Sequence, residues 1–326
     1  DYNGNVYYVT SISDQAFRGT GVTTLNTSNA KRLTTIGNKS FADCASLTDV
    51  SLIEGITMMG DSAFASCTAL DSIQLPSTLR VVPNGAFDGC SSLGDVDIWH
   101  GVTTISEHAF AHCTSLTSLS LPSSVSSVEG NALYGSTALE EIFVASNSPY
   151  YASIGGVLYE RKYGPEVAPD EMDEMEKLTI YPPAKTGEIL YIPPGVTEIE
   201  AYAIQNAAYL KHVAIPPTTT VFGENCFEGT ALQTINYRCK QPSHDGTDGI
   251  TATLKANTTL QVPVGTSNDY KALSAWQGFK IIVERYDVCG DEEFVYDWNS
   301  SHQVTLVDIK PAAVQASGKV TLPLGM

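Results

Sequence analysis

A chain of 326 residues, 43% of them hydrophobic, can bury a sizeable core as one long array or two ordinary domains. Its net charge of -18 provides nothing to neutralise phosphates or an anionic lipid surface, so nucleic acid and charged membrane surfaces are excluded as partners. No apolar run reaches transmembrane length, so membrane insertion within this chain is not expected.

Only 17% of the residues are charged, and the many Ser, Thr, Gly and Pro residues suit turns and short strands. The chain starts at Asp1 rather than Met, as a processed product or a piece of a longer chain would, and any signal peptide or lipid-anchor cysteine would lie outside it.

From the N-terminus onward, one pattern repeats. Phe41, Phe64, Phe87 and Phe110 stand 23 residues apart. Three residues after each comes Cys44, Cys67, Cys90 or Cys113, and three later Leu47, Leu70, Leu93 or Leu116. Five residues before each Phe sits Ile36, Met59, Val82 or Ile105. Ile12 and Phe17 extend the register upstream, with Thr20 in the cysteine column. Val128, Leu133, Ser136 and Leu139 extend it downstream. After an interruption it resumes at Ile199, Ile204, Ala207 and Leu210, and again at Phe222, Phe227, Thr230 and Leu232. Eight coils are recognisable.

Between the Leu column and the next Ile column, stretches such as residues 70–76 and 116–122 alternate apolar and polar and end at Pro. That is the signature of a half-buried strand, one per coil. A single coil cannot bury its columns, but stacked coils bury one another. The fold expected is a solenoid with a parallel sheet on one face and short helical turns and loops on the other.

The pattern Ile-Gly-x-x-x-Phe-x-x-Cys-x-x-Leu-x-x-Ile-x-Leu-Pro resembles the BspA-like, or Treponema pallidum-type, leucine-rich repeat. Residues 147–159 and 178–185 resemble a segment that divides such arrays, and residues 260–284 resemble the family's C-terminal closing unit. The resemblance implies a right-handed β/α-type repeat on an exported bacterial protein, cell-surface or secreted, from a Bacteroides-like organism, that adheres to host or bacterial proteins. It brings no catalytic residues.

The period divides the chain into N-terminal repeats at 1–144, an irregular junction at 145–191, further repeats at 192–239, a closing unit at 240–286 and a β-rich tail at 287–326. The junction carries an acidic insertion at 160–177, which reads as a solvated loop and lacks the ligand pattern of a calcium loop. Eight of the 16 tyrosines fall between 150 and 209, where they fill the junction or form a binding patch. In the closing unit, residues 240–259 read as a loop, Ser267 or Asn268 as the cap of a short helix through Trp276, and 280–284 as a strand.

The cysteine column also accepts Thr20, Ser136 and Ala207, so it calls for a small side chain rather than thiol chemistry. No CxxC spacing suggests zinc, and neither a metal nor a cofactor is expected. A Cys226–Cys239 bridge is conceivable. His108 and His112 have the i, i+4 spacing of a helical metal pair, but they flank Phe110 on a turn and read as surface decoration.

The alternation exposes Asp95, Asp97, Glu141 and Phe143 on the sheet face, with Trp99 and His100 at a strand end in place of the usual Pro. An exposed aromatic beside carboxylates can anchor a protein or a sugar; Trp99 also suits packing. No nucleophile elbow, phosphate loop or HExxH motif is present, so no enzyme is expected. The expectation is an exported, non-catalytic binding protein for a host or bacterial surface protein, with a glycan-binding protein or a passive spacer as alternatives.

Overall fold

The computed structural model describes residues 7–162, 174–242, 249–285, 294–298 and 304–309. The chain winds into a solenoid of about eleven turns with roughly 23 residues per coil. Two strands mark a coil. A three- or four-residue strand follows the Leu column, as in Ser72–Gln74, Asp95–Asp97 and Ser118–Leu121. A second strand, not foreseen, lies at the Ile column and is only two residues long, as in Thr35–Ile36, Met58–Met59 and Val81–Val82. Strands of both kinds pair in parallel with an equivalent one period on, as Ser72 with Asp95 and Thr35 with Met58, although Met58–Met59 does not pair with Val81–Val82.

The segment around each Phe is a pair of tight turns in which backbone amides alternate in direction. The amides of Lys39, Phe41 and Asp43 donate to Asp61, Ala63 and Ala65 of the next coil at 2.8–2.9 Å. Those of Ser40, Ala42 and Cys44 close turns onto Gly37, Lys39 and Phe41. The alternation requires a left-handed residue two places before and two places after the Phe. Lys39 and Asp43 flank Phe41 at φ 52° and 63°, and Gly85 and Gly89 flank Phe87 at 59° and 76°. Gly, Asn, Asp and His tolerate this region best, and they hold most of these positions.

Under the turns the rings of Phe17, Phe41, Phe64, Phe87 and Phe110 form one stack, 5.1–5.5 Å between centroids and within 7° of parallel. Phe41 to Phe110 are fully buried, as are Cys44, Cys67, Cys90, Cys113, Leu47, Leu70, Leu93 and Leu116. Phe17, expected in the core, is 42% exposed because no described coil lies on its outer side.

The junction interrupts the stack without breaking the solenoid. Strands Tyr151–Ile154, Val157–Arg161 and Met175–Ile180 form an antiparallel meander. The last then pairs in parallel with Glu198–Ile199, so Leu178 takes the place of an Ile-column residue. Strand Ile189–Tyr191 joins the long-strand sheet beside His212–Ile215. Two apolar clusters meet here, one from Leu33 to Ile180 and one from Val157 to Phe279.

The closing unit continues the parallel sheet with Thr259–Pro263 and Ile281–Arg285. Its helices, Ala252–Asn257 and Ser267–Ala272, are the only α-helices among the described residues. The first stands where a loop was expected. The second is not capped by Ser267 or Asn268: Thr266 precedes it without a side-chain capping bond, and a separate 3-10 turn, Ser274–Trp276, follows. Trp276 and Tyr270 pack on Tyr237, and Trp276 on Phe222, closing the core where the Phe stack has ended. In the tail, Phe294–Trp298 and Val304–Ile309 pair as an antiparallel hairpin; the expected strand at 319–323 lies outside the described residues.

Truncation should therefore depend on position in the stack. Phe64→Ala, with neighbours on both faces, should cost about 3–5 kcal/mol, and Phe17→Ala well under half of that. Urea unfolding of the two variants would check this; equal losses would contradict the stack.

Candidate binding surface

Strand alternation sets which residues leave the long-strand face. In Asp95–Asp97, Val96 points into the core and both carboxylates point out. In Glu141–Val144, Ile142 is buried while Glu141 and Phe143 are exposed. Asp97 Oδ2 accepts hydrogen bonds from Trp99 Nε1 at 2.8 Å and from Gln74 Nε2 at 3.2 Å. Those bonds hold the indole beside the carboxylate, yet Trp99 remains 45% exposed. Ser120 lies one period on from Asp97 and pairs with Phe143, itself 47% exposed. On the usual strand spacing Phe143 therefore sits about 10 Å along the sheet from Asp97. His100 is exposed at the strand end. Asp95, Asp97, Trp99, Glu141 and Phe143 thus share one solvent-facing side, and His100 is exposed beside it. Glu141 sits at its border, where the meander begins: Ile142 N–H donates to Gly156 O at 2.9 Å.

A second feature escaped the sequence reading. Where the junction interrupts the short-strand sheet, a cleft of about 490 Å³ opens between residues 126–131 and the wall formed by Glu160, Lys177, Glu198 and Glu200. Lys177 Nζ lies 3.2 Å from Glu160 and 3.8 Å from Glu200. Burial opposes the charge on Lys177, but Glu160, Glu200 and Glu198 together raise its pKa. Burial of Glu200 dominates over the attraction of Lys177 and pushes its carboxyl up to about 8. These groups come from strands brought side by side only by the meander, so no spacing in the sequence announced them.

The BspA type leucine rich repeat region matches in six copies, over residues 10–145 and 184–243. This chain belongs to that family. Among curated proteins none matches it. Solved structures share its fold. A leucine rich cell surface protein from Faecalibacterium prausnitzii is 24% identical, with a TM-score of 0.62 over 87% of this chain and 78% of that one. A leucine-rich repeat protein from Bacteroides ovatus is 16% identical, with a TM-score of 0.52 over 86% and 78%. The pneumococcal vaccine antigen PcpA is 18% identical, with a TM-score of 0.51 over 87% and 82%.

In this BspA-type repeat the cysteine column has a use beyond small size. The Sγ atoms of Cys67, Cys90 and Cys113 donate to the carbonyls of Phe41, Phe64 and Phe87 in the preceding coil at 3.1–3.4 Å, and Ser136 Oγ donates to Phe110 O at 2.7 Å. The six described cysteines are free and buried, Cys226 and Cys239 included, and burial pushes Cys113 up to about 12. Cys289 lies outside the described residues. His108 and His112 owe their spacing to the repeat, because they are the left-handed residues on either side of Phe110. His112 Nδ1 lies 2.8 Å from Asp88 Oδ1, and both rings meet Tyr134 edge-on. Among the junction tyrosines, Tyr151, Tyr159 and Tyr181 are buried, which is a packing use. Most of the acidic insertion lies outside the described residues.

The raised Glu200 pKa has a signed consequence. Between its ordinary value of 4.5 and about 8, the folded chain keeps a proton that the unfolded chain has lost, so stability falls as pH rises through that window. Glu200→Gln removes the penalty. Thermal melts should show the variant gaining a few degrees over wild type above the window and little below it; a pH-independent difference would contradict the assignment.

Proposed function

We propose that this chain is a non-catalytic, exported binding protein of a bacterial cell surface that engages a host or bacterial protein through its long-strand face. The observation that carries this reading is the half-exposed Trp99, pinned by Asp97 on a flat strand face with Phe143 two coils away. Large aromatics fixed in place lose little entropy on binding and dominate contact energetics. Asp95, Asp97 and Glu141 around them, on a chain of net charge -18, favour a basic partner patch. The family, and the likeness to a leucine rich cell surface protein of Faecalibacterium prausnitzii, support the location. No described helix is long and apolar enough to cross a membrane.

A glycan is the second reading, favoured by the same indole lying beside a carboxylate that can accept sugar hydroxyls. Surface binding to immobilised host matrix proteins, run beside a glycan array, separates the two. Trp99→Ala and Phe143→Ala should each weaken binding by about 2 kcal/mol without changing the melting temperature. Binding that is untouched by both substitutions would remove this face from consideration.

A further inference from the structure

Among the described residues the parallel ladder of short strands is interrupted twice, between Met58–Met59 and Val81–Val82 and again after Ser127–Val128, and only the second interruption borders the cleft. Before the junction, Thr103 O accepts from the Ser126 and Ser127 amides at 2.8 and 3.1 Å, and Ile105 O accepts from the Glu129 amide at 3.1 Å. After it, Glu176 O accepts from Thr197 at 2.8 Å and Leu178 O from Glu200 at 3.0 Å. The equivalent acceptors in between are the carbonyls of Ser126 and Val128, and no backbone amide among the described residues reaches them. On the same side, the amide of Val128 donates to Tyr151 Oη at 2.9 Å. Strand Ser127–Val128 is thus a sheet edge within the array, and it forms one wall of the cleft.

An open edge with two acceptors on alternate residues matches the donors of an extended backbone, which presents amides to one side at alternate residues. Charge then restricts the occupant. The cleft is lined by Glu107, Glu129, Glu160, Glu198 and Glu200 against one cation, Lys177. Lys177 is shared between Glu160 and Glu200, while Glu107, Glu129 and Glu198 have no ion pair among the described residues. Water can solvate these groups in the free protein, since Ser126 and Glu129 are exposed. A strand bearing a lysine or arginine would satisfy the edge and the unpaired carboxylates together, which neither a neutral strand nor a free cation can do.

We propose that the junction cleft takes up a basic, extended peptide segment of a protein partner, added as a strand along residues 126–128 with its lysine or arginine among Glu129 and Glu198. The site is separate from the Trp99 face and stands whether or not that face binds.

The test uses the full chain and an arrayed library of short acetylated peptides with basic, neutral or acidic central residues flanked by β-branched ones, read by fluorescence anisotropy. Basic members should bind. Methylating alternate backbone nitrogens of a binder should weaken it at least tenfold by removing its donors. The double variant Glu129→Gln with Glu198→Gln, which spares the Lys177 pairs, should weaken it about tenfold, and Trp99→Ala should leave it unchanged. Several results would overturn the proposal: no preference for basic over acidic peptides, indifference to nitrogen methylation, or undiminished binding to the double variant. Loss on Trp99→Ala alone would assign the peptide to the long-strand face instead.

Discussion

Coil-to-coil hydrogen bonding through the Phe turns is the constraint on which the rest of this solenoid depends. A solenoid must find partners for the backbone groups at each corner that its coils turn. Here the corner is itself a ladder, because left-handed residues on both sides of the Phe point every second amide at the next coil. The remaining amides close local turns, so little backbone is left for water to solvate. Stacked coils then bring equivalent side chains into contact, which is why Phe lies on Phe and each column thiol meets the Phe carbonyl of the coil before it.

The same constraint explains what happens when the period fails. The junction coil that runs from Leu178 to Ile189–Tyr191 has no full Phe turn: Tyr181 N–H donates to Ala203 O at 2.7 Å, and beside it the corner before touches the corner after. A β-carbon at Gly130 would lie 2.6 Å from the Ala201 carbonyl, and Tyr134 packs edge-on against Tyr202. The corner is closed in this way, but the short-strand sheet is not. The antiparallel meander enters between its two halves and leaves both an open edge and a charged cleft. A flat repeat surface thereby gains one concave feature.

How much of this was legible in the residues depended on their spacing. The Phe, Cys and Leu columns were readable because each recurs at a fixed interval and is buried whole. The long strands were readable because Leu119 and Leu121 alternate with Ser118 and Ser120. Two-residue strands such as Val81–Val82 are too short to alternate, and they exist only because a neighbour pairs with them. The left-handed positions were half visible. Gly85, Gly89 and Asn206 announce them, whereas Lys39, Ser62 and Tyr202 are forced into them by the turns around. The exposed residues at 95–100 and 141–143 followed from alternation, but the bond from Trp99 to Asp97 did not. Glu160, Lys177 and Glu200 were invisible as a group, because an antiparallel excursion brings them together and no repeat relates them.

The central claim is that the Phe corners are hydrogen-bonded ladder and not surface loop. Amide hydrogen exchange measured residue by residue tests it most directly. The account predicts that the amides of Lys39, Phe41 and Asp43, and their equivalents around Phe64 and Phe87, exchange as slowly as those of the long strands. Fast exchange at these corners beside protected strands would contradict it.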